Sequence, residues 1–296
     1  MVSVIIVMLV VCIGGPLFYA WRLWRLHENS RLACVLAVVD ACLFVALVSV
    51  LGRWDMAGWY LRPLVLGLFA AAVLTSLHRH ASLPWRGREA LRIRWATLLS
   101  AVLLASALGY AASGLHVAHP RLLQFPLREG RFIVGQGGDV PLLNHHATHP
   151  EQRHAADITA LNVAGFRATG LLPRTLESYA IFGARVVSPC AGTVVAVRDG
   201  LPDLPPPETD RANPAGNHVI IECDGLHVEL AHLRQHSVRV AQGQRLAAGE
   251  DIARVGNSGN TTEPHLHVHA VDPRTQTGVA LAFGDRTPVR NRLFVN

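Results

Sequence analysis

Near the C-terminus the run Pro264-His265-Leu266-His267-Val268-His269 alternates histidine with apolar residues. Residues two apart on a strand share a face. The spacing therefore predicts a strand that shows His265, His267 and His269 on one side and sends Leu266 and Val268 into a core. Neutral imidazole is a good zinc ligand. Two histidines two apart on a rigid strand can supply one ligand and one neighbouring acid or base. A second cluster lies upstream, where Asn144-His145-His146, His149 and Gln152-Arg153-His154 form a polar loop before Asp157. Zinc sites often join a loop histidine to a carboxylate and a further histidine on strands. A third candidate, His232, ends the stretch 226–233. There Leu226, Val228, Leu230 and His232 alternate on one face, so that His232 reads as a histidine closing a core stripe.

The elements that must position these groups are β-strands. From Gly183 onward, strands are expected at 185–188, 192–198, 217–223 and 226–233, the last two joined by Asp224-Gly225, a strong hairpin signal. The Pro-rich stretch 200–216 reads as a surface loop, because proline cannot donate to a ladder. From Val238 to Gly256 short apolar pieces alternate with glycine turns, which suggests a small antiparallel barrel or sandwich. Residues 116–139 read as a linker and 140–296 as the soluble domain.

The first 115 residues are different. Half of the 296 residues are hydrophobic, and the excess lies in four apolar runs at about 2–21, 32–51, 56–77 and 96–115. Each is close to the roughly 20 residues that span a bilayer. The first run has no basic residue before it and arginines after it, unlike a signal peptide. Residues 1–115 hold 10 arginines against 4 acids, and residues 116–296 hold 17 against 17. The basic excess thus belongs to the edges of the membrane half, and nucleic acid is not an expected partner. Arginine is concentrated at 22–31 and 78–94, which places those connections in the cytoplasm and the C-terminal domain outside it. Asp40 falls in the middle of the second run, either as a functional carboxyl or bonded to a neighbouring helix. Cys12, Cys34 and Cys42 lie in apolar runs; Cys190 and Cys223 fall in the soluble part, either as a disulfide or as two free thiols.

Taken in order, the soluble half holds the His146 region, Asp157, Ala231-His232-Leu233, Gly256-Asn257-Ser258-Gly259 and Pro264-His265-Leu266-His267. This order resembles the lysostaphin-like (LytM-type) zinc metalloendopeptidases over roughly residues 140–285. The resemblance implies a mainly β domain of the duplicated hybrid-motif type and one zinc ion per chain, held by His146, Asp157 and His267. It makes His232 and His265 the two catalytic histidines that are not ligands. The commoner family pattern has a histidine four residues before the aspartate, where this chain has Arg153; His145, His149 and His154 therefore stay open beside His146 as the first ligand. The implied substrate is the peptide part of bacterial peptidoglycan.

The expectation is a four-span membrane protein with an extracytoplasmic zinc endopeptidase domain. The alternative is a non-catalytic domain of the same fold that binds peptidoglycan or regulates another wall hydrolase. A membrane sensor whose outer domain binds metal is a further reading. A biotinyl- or lipoyl-carrier module is excluded, since it needs a modifiable lysine and the chain has none.

Overall fold

The computed structural model describes residues 2–86 and 95–296. The chain divides into two compact units, residues 3–112 and essentially residues 113–296. Arg88, Arg92 and Arg94, counted above toward a cytoplasmic connection, lie outside the described residues.

Among its described residues the first unit holds four helices long and apolar enough to cross a membrane: α1 (Ile5–Trp24), α2 (Arg31–Leu51), α3 (Leu61–His80) and α4 (Trp95–Ser113). α2 starts at Ser30, whose hydroxyl accepts from the Ala33 amide at 3.3 Å and so satisfies one of the open donors of the first turn. The third helix starts later than the expected run. Trp54–Ala57 forms a separate short turn that ends at Gly58, and a φ of 103° there suits glycine alone. α4 exposes Leu99, Val102, Leu103 and Tyr110, a surface suited to lipid rather than water. Asp40 is buried in α2, where the Tyr19 hydroxyl donates to its Oδ2 at 3.4 Å.

The second unit is mainly antiparallel β. Its strands are β1 (Arg121–Leu123), β2 (Arg131–Gln136), β3 (Ala156–Ala160), β4 (Arg185–Val187), β5 (Gly192–Arg198), β6 (Asn217–Cys223), β7 (Leu226–Leu233), β8 (Arg245–Leu246), β9 (Asp251–Arg254), β10 (Leu266–Asp272), β11 (Thr277–Val279), β12 (Leu281–Phe283) and β13 (Leu293–Val295). The main sheet runs β13-β2-β3-β10-β7-β6-β5-β8, with β11 added beside the second half of β10. β4 pairs with β9, and β1 pairs with β12 in parallel.

Of the barrel or sandwich expected, the antiparallel β domain is present but does not close into a barrel: among the described residues the sheet is open between β13 and β8. Those edge strands are only three and two residues long. The ladder stops where Gly243 and Gly249 turn the chain on either side of β8, at φ of 83° each. The segment expected to be a linker also differs. Its apolar run Phe132-Ile133-Val134 is fully buried and makes β2 an inner strand of the sheet.

The core packs Leu230, Val228, Ile221 and Val194 from the β5–β7 meander against Ile158, Val134, Leu266 and Val268. The β6–β7 hairpin turns at Asp224 and Gly225, with φ of 51° and 82°, the positive pair that a tight two-residue turn requires. A disulfide joins Cys190 to Cys223 at the far end of β6. The Pro-rich stretch between β5 and β6 has no strand but is firmly tied down. Asp199 accepts from the His236 and Val238 amides, and Asp203 from the Gln235 and Asn257 amides.

Candidate metal centre

β10 is the axis of the site. Leu266, Val268 and Ala270 enter the core, which turns His267 and His269 to the other face. The register then sets His267 directly opposite Asp157 on β3 and opposite Ala231 on β7. His267 Nδ1 lies 3.0 Å from Asp157 Oδ1. His146 reaches the same carboxylate from a short helical turn, His145–Thr148, with Nε2 at 3.1 and 3.2 Å from the two oxygens. Asn144 caps that turn, accepting from the His146 amide and donating to the carbonyls of Gly138, Arg153 and Ala155. His265 Nε2 is 3.5 Å from Asp157 Oδ1.

These side chains fit zinc. Donors bound to one tetrahedral zinc at 2.0–2.1 Å stand about 3.3 Å apart, and the separations around Asp157 fall a few tenths short of that. Two nitrogens and a carboxylate form a donor set zinc accepts, with a position left for water or substrate. His145 lies beside this set: its ring is 3.8 Å from that of His146, and ligand atoms of His145, His146 and Asp157 lie within 4.8 Å of one another. The other two open candidates are placed elsewhere. His154 faces Asp139, with Nδ1 at 3.4 Å from Oδ1, and His149 is exposed.

His232 corrects the alternation argument. β7 carries a bulge opposite Asn217–Val219, so that Leu230 and Leu233, not Leu230 and His232, enter the core. His232 itself has a φ of 61°. A bulge re-aims a side chain, and here it turns the imidazole toward the face that carries His265 and His267. Its ring lies 4.8 Å from that of His265 and 5.9 Å from that of His267. The Gly-Asn-Ser-Gly stretch locks this geometry. Ser258 Oγ accepts from the Asn217 amide and donates to the Leu233 carbonyl, while the Ser258 carbonyl accepts from His232 Nδ1 at 2.9 Å. A side chain at Gly216 would strike the Ser258 backbone.

A carbonyl oxygen only accepts. His232 therefore carries its proton on Nδ1, and so does His265, whose Nδ1 donates to the Glu263 carbonyl at 2.9 Å. Both rings thus direct Nε2 inward, as a lone pair when neutral. Burial, reinforced by the charges of His265 and His267, holds the His232 pKa well below the ordinary histidine range. Burial also opposes charge on His265 and on Asp157, but their mutual attraction and hydrogen bonds outweigh it. The His265 pKa is raised and that of Asp157 falls well below the usual carboxylate range.

Three further groups stand around the centre, and of these only His269 shares the alternation read in the sequence. His269 lies behind His267, with Nδ1 3.0 Å from His267 Nε2, and burial lowers its pKa to about 3. Arg167 and Glu263 form a buried ion pair next to the 261–265 segment. They are 96 residues apart in the chain, and only the fold brings them together.

Comparison with known proteins gives the class. Residues 177–282 match the model of peptidase family M23, a segment that includes His232, His265 and His267 and begins after His146 and Asp157. Residues 177–282 therefore carry a peptidase family M23 domain, preceded in the chain by four apolar helices. A zinc-containing peptidase from Vibrio cholerae is 22% identical, over 54% of this chain and 39% of its own, with a TM-score of 0.34. The catalytic domain of lysostaphin from Staphylococcus simulans is 17% identical over 42% of this chain and 84% of its own, at 0.23. A mutant catalytic domain of the prophage-encoded M23 protein EnpA from Enterococcus faecalis is 19% identical over 57% and 94%, at 0.29. The chain thus spans well under half of the Vibrio protein. No curated protein matches it.

Proposed function

We propose that this chain is a membrane-anchored zinc metalloendopeptidase that hydrolyses peptide bonds of bacterial cell-wall peptidoglycan. The observation that carries this reading is the convergence of His146 Nε2 and His267 Nδ1 on one half-buried carboxylate, Asp157, at 3.0 to 3.2 Å. In this reading those three residues hold one zinc ion within a domain at 140–296, and the helices of residues 1–115 anchor it in the bacterial inner membrane. When bound, zinc polarises a scissile carbonyl and acidifies water. His232 and His265 do the proton work from Nε2. One takes the proton of the attacking water; the other, in its protonated form, donates to the oxygen on which charge develops. The chain offers no His-Glu-x-x-His helix to supply a glutamate base.

The substrate and the sidedness belong together. A wall polymer cannot enter the cytoplasm, and the arginine-rich connections support a C-terminal domain outside it. A domain outside the cytoplasm is also where a Cys190–Cys223 disulfide persists.

The test is the zinc content of the purified full-length chain beside His267→Ala and Asp157→Ala, followed by digestion of peptidoglycan. One zinc per wild-type chain, lost in both variants, together with released wall peptides is the expected result. A metal-free wild type after metal-replete purification overturns the reading. A zinc-loaded wild type that releases no peptide leaves a binding domain.

A further inference from the structure

We propose that Arg167 is a positioning residue that sets the orientation of His265 through Glu263. The inference rests on the reading of His265 as a catalytic group.

The segment from Thr261 to His265 lies outside every strand, between the Gly-Asn-Ser-Gly turn and β10. No ladder holds it, yet it delivers His265 to the centre. What holds it is a clasp from the loop between β3 and β4. Arg167 is only 3% exposed. Its Nε and Nη2 donate to Oε2 and Oε1 of Glu263 at 2.5 and 3.0 Å, and Nη2 also donates to the Leu171 carbonyl at 3.0 Å. The guanidinium carbon lies 5.8 Å from the centre of the Tyr179 ring. A guanidinium is kept out of water only where its donors are met, and the planar fork onto a carboxylate fixes direction as well as distance.

The same glutamate holds His265 by its backbone. The Glu263 carbonyl accepts from His265 Nδ1 at 2.9 Å and from the Thr261 hydroxyl at 2.8 Å. Thr261 Oγ1 stands 3.1 Å from the same ring nitrogen. That carbonyl decides both the tautomer and the aim of the ring. Pro264 separates Glu263 from His265, and its fixed φ leaves the connection little freedom. A shift of the Glu263 side chain is therefore passed to the carbonyl and so to His265 Nε2, on the side of Asp157.

The test uses the zinc-loaded full-length chain in detergent with 15N-labelled histidine. The R167M/E263L double variant replaces the buried pair by apolar groups of similar size, a change that folded proteins often tolerate. Zinc content, kcat and KM on peptidoglycan fragments, and the His265 ring signals, assigned with H265N, are compared with wild type. The expected result is unchanged zinc and KM, a kcat lower by about tenfold or more, and a His265 signal that passes from the single Nδ1–H tautomer to a mixture. A folded, zinc-loaded double variant with wild-type kcat and a single tautomer overturns the proposal. If wild type cuts no peptide, the peptidase reading fails, and the tautomer comparison alone still decides for or against the clasp. If the double variant does not fold, E263Q, which keeps the shape and one hydrogen bond, is read by the same signals.

Discussion

His267 Nε2 and His269 Nδ1 lie 3.0 Å apart on one face of β10. Where Nδ1 of His267 gives its lone pair to a metal, the ring proton sits on Nε2 and donates to His269 Nδ1. A histidine ligand usually donates its other N–H to a carboxylate, a carbonyl or water; for His267 as a ligand the acceptor would be the His269 imidazole, whose charged form burial opposes.

The first prediction follows from that contact. His269→Leu removes the acceptor and lowers zinc affinity by about 10- to 100-fold. His269→Gln retains an acceptor and stays closer to wild type. Competition against a chelator of known affinity checks both, and equal affinity for wild type and the Leu variant would remove this role for His269.

Metal removal should unfold the domain more easily. A ligand that binds only the folded state stabilises it by an amount that grows with the logarithm of its free concentration over its dissociation constant. Chelation is therefore expected to lower the thermal midpoint of the wild type and to leave that of Asp157→Ala unmoved. Parallel melts with and without chelator decide it; equal shifts in both proteins would mean that Asp157 holds no metal.

How far the sequence reached depends on whether the signal was local. The hairpin at Asp224-Gly225 and the strands 217–223 and 226–233 were legible, because a turn dipeptide and an alternating pattern sit within a few residues. The alternation also misled, at His232. A bulge shifts side-chain parity by one, and nothing in Leu230-Ala231-His232-Leu233 announces it. The linker reading of 116–139 missed Phe132-Ile133-Val134, a run whose burial depends on β3 and β13 on either side. Arg167 and the contact of His269 with His267 were out of reach for a similar reason. A buried arginine looks like any other until its distant carboxylate is placed beside it, and a histidine behind a ligand looks like part of an exposed stripe.

The Cys190–Cys223 bridge closes a separation of 33 residues. Loop-closure entropy makes such a cross-link worth about 4 kcal/mol. A Cys190→Ala/Cys223→Ala variant should lose about that much in urea unfolding while still binding zinc, since the bridge lies at the far end of β6 from Asn217 and the turn that holds His232. A variant as stable as the oxidised wild type would show that the bridge constrains nothing.

The backbone of His232 supplies a prediction independent of metal. At a φ of 61°, a residue with a Cβ costs about 1 kcal/mol or more, which glycine avoids. Most substitutions in a buried strand follow the opposite rule, because glycine weakens strands. Here His232→Gly should be more stable than His232→Ala by about 1 kcal/mol, although both remove the imidazole and both should retain zinc on His146, Asp157 and His267. Neither should cleave peptidoglycan. Urea unfolding of the two variants, each with its zinc content measured, checks the sign. An alanine variant more stable than the glycine variant would mean that the bulge relaxes once the ring is gone, and that the ring, held by the Ser258 carbonyl, is what keeps this turn of β7 in its left-handed form.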